Sequence, residues 1–293
     1  MLRNLLSYCV ILFAATAQPA WAEFGSGKGV FEFTDQQGNA DRPIKVWYYQ
    51  PPDFAKDGRV LFIMHGVGRN ADGYRDAWID IADAQNLLLL VPEFSDQAYP
   101  SSRLYQQGYV LTKQGDLRKR SLWSLMAVER IFDHVVHENE LRATRYSIYG
   151  HSGGGQFVHR MLLLNPNARV ELAIAANAGW YAMPDLTVGY PYGLAGIGAN
   201  TSQLRLALGK PLVVLLGEAD TDSNHKQLRS TPEAMLQGKH RLERGKTFFE
   251  SGKRLAEDLN VEFHWQLQTV PGVSHSNTKM APAAGQILKR DSG

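Results

Sequence analysis

The chain has 293 residues, 44% hydrophobic and 20% charged, which is the composition of a folded protein and excludes disorder, collagen-like repeats and coiled coil. Thirty-one Lys and Arg stand against 29 Asp and Glu, for a formal net charge of +2. That balance produces no field that would mark nucleic acid as a partner.

In chain order, Arg3, the apolar run 5–17 and Ala20-Trp21-Ala22 read as a secretory leader cleaved after Ala22. Residues 23–293 are expected to form one domain, exported to the periplasm or secreted. The apolar run is shorter than the roughly 20 residues of a spanning helix, so no membrane span is expected. Cys9 is the only cysteine and leaves with the leader, which removes disulfides, thiol nucleophiles and thiolate metal sites from the expected mature chain. Gly25-Ser26-Gly27-Lys28-Gly29 resembles a phosphate loop only in composition, because no strand precedes it.

Residues 29–34 and 44–49 read as one or two antiparallel edge strands. From residue 59 onward, short apolar runs alternate with helical patterns. The pattern predicts strands over 59–64, 87–91 (stopped by Pro92), 146–149, 172–175, 211–216 and 261–267. Helices are predicted over 71–85, 121–139, 156–164, 242–259 and 278–288. Strands this apolar are buried on both faces, so the order implies an α/β fold: a mostly parallel sheet with helices on both sides. Residues 95–120 and 179–210 interrupt the rhythm after strand ends, where ligands of open α/β sheets bind, and are expected to be cleft walls or packed surface loops.

Gly150-His151-Ser152-Gly153-Gly154 is a G-x-S-x-G between a predicted strand and a predicted helix. In that context the serine sits on a strained turn, and larger residues at Gly150 and Gly154 would collide with neighbouring backbone. The following helix aims free N–H groups at the point where an oxyanion would form, so Gly153 N–H is expected as one donor. A serine nucleophile requires a histidine base and an orienting carboxylate. His275, in Pro271-Gly272-Val273-Ser274-His275, is the expected base. Asp220, in Gly217-Glu218-Ala219-Asp220, is the expected acid, with Glu218 and Asp222 as competitors. A second oxyanion donor is expected from Val67 N–H, in His65-Gly66-Val67-Gly68 after the first central strand.

Trp180 and Tyr181 are candidates for the acyl or alcohol pocket, with core packing as the alternative. His65, His134, His137 and His159 are expected to be structural or solvated. The basic segment 226–246, with Arg229, Arg241 and Arg244 and with His225 just before it, is interspersed with Glu233 and Glu243 and is expected to face solvent, the alternative being a basic face near the site that favours an anionic substrate. No H-E-x-x-H or spaced ligand set appears, so neither a metal nor another cofactor is expected.

The set G-H-S-G-G, H-G-V-G, G-E-A-D and P-G-V-S-H, with Asn70-Ala71-Asp72-Gly73-Tyr74 and Val91-Pro92-Glu93-Phe94, resembles the α/β-hydrolase fold. More narrowly it resembles secreted esterases of the poly(3-hydroxybutyrate) depolymerase and feruloyl or acetylxylan esterase group. The resemblance implies no large cap domain, a triad of Ser152, Asp220 and His275, and oxyanion donors at Val67 and Gly153. The chain lacks the Ser/Thr-rich linker, second polymer-binding domain and cysteine pair of polyester-degrading members. A carboxylic ester hydrolase acting on a small or oligomeric ester is therefore expected. A serine peptidase, an acyltransferase and a non-catalytic binding protein are the alternatives.

Overall fold

Residues 24–290 are described by the computed structural model, so the expected leader over residues 1–22 and Cys9 lie outside the described residues. The strands are β1 (Gly27–Phe33), β2 (Ile44–Gln50), β3 (Arg59–Met64), β4 (Leu87–Glu93), β5 (Tyr146–His151), β6 (Val170–Ala176), β7 (Leu212–Gly217) and β8 (Trp265–Val270). The α-helices are α1 (Ala71–Asp76), α2 (Ile79–Gln85), α3 (Ser101–Leu104), α4 (Ala127–Glu138), α5 (Gly153–Leu164), α6 (Thr201–Leu208), α7 (Pro232–Leu236), α8 (Arg241–Leu259) and α9 (Asn277–Arg290).

All eight strands form one sheet in the order β1-β2-β4-β3-β5-β6-β7-β8. β1 and β2 are antiparallel to each other, and β2 is antiparallel to β4. The remaining pairs are parallel, which aligns the C-terminal ends of β3 to β8 along one edge. Alternation along each strand splits the apolar side chains between two cores. In β3, Val60, Phe62 and Met64 face a layer containing Phe132, Phe157 and Phe248, whereas Leu61 and Ile63 face Trp78, Met280 and Leu288. Helices α4, α5, α6 and α8 therefore cover one face and α1, α2 and α9 the other. The expected mostly parallel sheet with two helical layers is what the chain forms.

The element boundaries depart from expectation at several places, each with a physical cause. Pro92 does not stop β4: it pairs with Val46 of β2, while the register to β3 ends at Phe62 and Leu90. Beyond Leu90 the strand has an open side, where the missing proline N–H costs no ladder bond. The helix expected over 71–85 is broken at Ala77 and Trp78, and the Trp78 ring turns into the core 4.7 Å from that of Tyr149. The N-terminal part of the helix expected over 121–139 is two 3₁₀ turns. The last strand begins at Trp265 and not at Val261: α8 ends on Asn260 in the left-handed conformation (φ 50°), and Phe263 then packs on Phe249 and Trp265 outside the ladder. Within the interval 179–210, Asn200 caps α6 by accepting from Gln203 N at 3.0 Å.

Candidate active site

The nucleophile turn is built by close backbone approach. β5 runs straight into α5 through Ser152, whose backbone sits at φ 58° and ψ −115°. A Cβ on Gly150 would lie 2.3 Å from the Gly154 carbonyl oxygen, and one on Gly154 would lie 1.9 Å from the Met64 carbonyl oxygen. Neither position accepts a side chain, which is the steric condition read from the pentapeptide. Ser152 N donates to Ala176 O at 2.9 Å, which ties the turn to the end of β6.

The structure brings Ser152, His275 and Asp220 together from three strand ends. His275 Nε2 is 2.9 Å from Ser152 Oγ, and His275 Nδ1 is 2.7 Å from Asp220 Oδ2. With Nδ1–H donating to the carboxylate, Nε2 is left as the acceptor that faces the hydroxyl. Asp220 is buried, at 3% exposure, whereas its competitors are occupied elsewhere. Glu218 accepts from Thr269 Oγ1 at 2.7 Å, and Asp222 accepts from Asn224 N at 2.8 Å.

The turn after β3 meets the start of α5. A Cβ on Gly153 would lie 3.1 Å from Val67 N and 3.0 Å from Gln106 Nε2, and one on Gly66 would lie 3.7 Å from Ser152 Cβ. The Val67 amide and α5's N-terminus thus converge beside the serine, at the positive end of the helix dipole. His65 underpins this turn: Phe94 N donates to Nε2 at 3.1 Å, so Nδ1–H donates to Gly66 O at 2.9 Å. Burial pushes its imidazole down to about 4, which keeps it neutral. Tyr105 Oη donates to His65 O at 2.7 Å, and the Arg69 guanidinium lies 4.6 Å from the Tyr105 ring centroid.

The acid and base loops are joined by Asn177, which the sequence reading did not single out, and by Arg241 of the basic segment. Asn177, at φ 45°, accepts from Gly217 N at 2.8 Å and donates to Ser274 O at 3.2 Å. Arg241 Nη1 is 3.4 Å from Asp220 Oδ1, and Nη2 is 3.1 Å from His225 Nδ1. Arg241 and Arg244 are buried, at 2% and 0% exposure, so these two turn away from the solvent expected for segment 226–246. Arg244 instead donates to the carbonyls of Gly238, Gly179 and Arg229. A left-handed Asn just past a strand is a legible turn signal; the inward turn of the arginines depends on distant carbonyls and leaves none.

Of the two pocket candidates, Tyr181 is fully buried, with its ring stacked at 4.5 Å on that of Phe248. It belongs to the core, because an aromatic ring between two aromatic neighbours gains more from packing than from exposure. Trp180 is 3% exposed and carries two guanidinium groups over its ring, Arg160 at 4.2 Å and Arg229 at 4.6 Å. Its indole is enclosed by these cations, so neither residue presents an open pocket wall. The two long connections touch each other where Tyr190 Oη donates to Gln107 O at 2.5 Å. Among the described residues no cluster of three or more His, Cys, Asp or Glu is arranged to hold a metal ion, and no helix is long and apolar enough to cross a membrane.

Similarity to known structures follows the same lines. Poly(aspartic acid) hydrolase-1 from Sphingomonas sp. KT-1 is 47% identical, with a TM-score of 0.88 over 91% of this chain and 100% of its own. LpqC, a poly(3-hydroxybutyrate) depolymerase from Bordetella parapertussis, is 34% identical, with a TM-score of 0.86 over 90% of each chain. An S-formylglutathione hydrolase from Agrobacterium tumefaciens shares the fold at 16% identity and a TM-score of 0.58, over 92% of this chain and 96% of its own. No protein-family model and no curated protein sequence matches the chain. With two relatives this similar over nearly their whole length, the protein is a hydrolase that belongs to the α/β-hydrolase esterases of the poly(3-hydroxybutyrate) depolymerase group.

Proposed function

We propose that the protein is an exported serine hydrolase of carboxylic esters, in which Ser152 is the nucleophile, His275 the general base and acid, and Asp220 the orienting carboxylate. The observation that carries this reading is the unbroken path from Asp220 Oδ2 to His275 Nδ1 at 2.7 Å and from His275 Nε2 to Ser152 Oγ at 2.9 Å. His275 takes the Ser152 proton as Oγ bonds to the ester carbonyl carbon. The negative oxygen that results is held by the Val67 and Gly153 amides. His275 then returns the proton to the departing alcohol, which leaves an acyl group on Ser152. Water, deprotonated by His275, attacks that acyl-enzyme and releases the acid, with the proton restored to Ser152. No cofactor enters these steps.

Replacing Ser152 by Ala is expected to lower kcat on a short p-nitrophenyl ester about 10⁴-fold or more with the fold intact. Hydrolysis near the parental rate in that variant would remove Ser152 from the mechanism. A fluorophosphonate probe is expected to label the parent at Ser152 and to leave Ser152→Ala unlabelled.

A second reading, amide cleavage by the same residues, is favoured by the 47% identity to an enzyme named for poly(aspartic acid), a polyamide. The 34% identical relative is named for poly(3-hydroxybutyrate), a polyester. Parallel assays on poly(aspartic acid), on 3-hydroxybutyrate oligomers and on simple esters separate the two, since the acyl-enzyme is common and only the leaving group differs. The leader pattern in residues 1–22 supports export of one domain spanning residues 23–293. Sequencing the N-terminus of the protein recovered from outside the cytoplasm tests this, with Glu23 as the expected first residue.

A further inference from the structure

We propose that Tyr74 is a positioning residue whose hydroxyl joins the two halves of the oxyanion site. Tyr74 comes from α1, outside the nucleophile, acid and base loops, and is 7% exposed. Its Oη is 3.1 Å from His151 Nδ1, on the residue that precedes Ser152. On its other side the phenol oxygen meets Gly66, the residue that precedes Val67: a Cβ there would lie 2.7 Å from Oη. Burial suppresses ionisation of the phenol, and the Gly66 backbone partly offsets that push. One oxygen atom thus touches the residue before the expected donor Val67 and, beside Ser152, the residue two positions before the expected donor Gly153.

Both partners of the Tyr74–His151 contact are neutral. Burial pushes the Tyr74 phenol well above its ordinary value, so it is neutral and keeps a proton to donate. Burial, with added repulsion from His275 and Arg241, pushes the His151 imidazole well below its ordinary value, so it is neutral with one acceptor nitrogen. The 3.1 Å contact between Tyr74 Oη and His151 Nδ1 is thus a hydrogen bond between two neutral groups, and His151 Nε2 is buried without a partner of its own among the described residues. The His151 ring lies 4.7 Å, centroid to centroid, from that of His275, so its neutrality also spares the base a second adjacent cation.

A strut of this kind acts on the transition state alone. The two amides must sit about 2.7–3.1 Å from the developing oxyanion, and that spacing counts for little while the substrate carbonyl is still neutral. The proposal rests on Ser152 as nucleophile, and fluorophosphonate labelling of the parent tests that reading separately. Tyr74→Phe removes the oxygen and keeps the ring. Expected in that variant is a kcat about 10-fold lower with KM within twofold of the parent, in line with a small displacement of one or two donors. The affinity for a trifluoromethyl ketone, whose adduct carries the oxyanion, is expected to fall by the same factor.

Trp78→Phe, which disturbs the same helical layer without touching the hydroxyl, controls for general loosening and is expected to keep the parental kcat. In a His151→Gln background, Tyr74→Phe should lower kcat by less than a further twofold. A folded Tyr74→Phe protein with parental kcat and ketone affinity overturns the proposal, as does a loss carried by KM. Equal losses from Tyr74→Phe and Trp78→Phe, or full additivity with His151→Gln, overturn it too. If Tyr74→Phe does not fold, the ketone affinity of His151→Gln alone decides: a fall supports the strut and parental affinity overturns it.

Discussion

The two sides of the site are held in place by different physics. On the nucleophile side, Gly150 and Gly154 let three stretches of backbone approach so closely that no Cβ fits between them. On the acid and base side, contact is made by side-chain hydrogen bonds: Asn177 to Gly217 and Ser274, and Arg241 to Asp220 and His225. Two backbone bonds, Glu218 N to Val270 O at 3.1 Å and Ala219 N to Val273 O at 2.9 Å, supplement them, and there is one close approach, since a Cβ on Gly217 would lie 2.4 Å from Val273 O. The first arrangement is rigid because displacement is blocked by atoms. The second is the more adjustable, because beyond the Gly217 approach it relies on hydrogen bonds, which can lengthen or exchange with water. A base that must move its proton between a serine, a leaving group and a water is well served by the adjustable side. The serine and its amides, whose geometry must not drift, occupy the rigid one.

Substitutions should separate these two modes. The largest effect is expected from Gly154→Ala, which forces a methyl group to 1.9 Å from the Met64 carbonyl oxygen. A loss of about 3–5 kcal/mol is expected, seen as a fall of roughly 10 °C or more in apparent Tm. A variant that melts with the parent would show that the turn yields, and would erase the contrast.

Acid should act next, and on the rigid side first, since His65, His151 and His159 are buried there in neutral form. His65 protonates near 6.5 when unfolded and about 4 when folded. The unfolded chain therefore binds the proton first as pH falls. The associated stability is fully present above 6.5 and is lost as pH drops from 6.5 toward 4, by about 1.4 kcal/mol per pH unit for each such imidazole. Urea midpoints at pH 7.5, 6.5 and 5.5 measure this; an unchanged midpoint between 7.5 and 5.5 contradicts it. The smallest effect belongs to the adjustable side. Asn177→Ala is expected to cost about 1–2 kcal/mol by leaving Gly217 N and Ser274 O without their partner. It should slow turnover more than it lowers Tm, because the loop that carries His275 loosens while both cores stay packed. Loss of stability comparable to that of Gly154→Ala would show that both sides are equally stiff.

Much of this was legible in the sequence because it is local. The nucleophile turn announces itself by glycines at fixed offsets, and the sheet by short apolar runs between helical patterns. The sites at Asp220 and His275 were legible because each follows a strand end by a few residues. What escaped was nonlocal. Pro92 within β4 is tolerated because the pairing of β4 with β3 has already stopped at Leu90. The burial of Arg241 and Arg244 depends on carbonyls and a carboxylate from other segments. Trp180 and Tyr181 have the composition of pocket walls, and the cations and rings that enclose them come from α5, α8 and the 226–231 segment. Tyr74 is visible in the sequence, but its partners Gly66 and His151 meet it only once β3 and β5 lie side by side.

The closing helix α9 has a consequence for how the molecule is made. Met280, Ala281, Ala284 and Leu288 pack into the core that also holds Trp78 and Tyr149, and Gln85 Nε2 and Arg59 Nη2 donate to the carbonyls of Gly285 and Leu288. α9 follows all eight strands in chain order, so the part of the sheet's underside that α1 and α2 leave uncovered stays bare until α9 has been synthesised, and truncation before Asn277 would leave that apolar strip facing water.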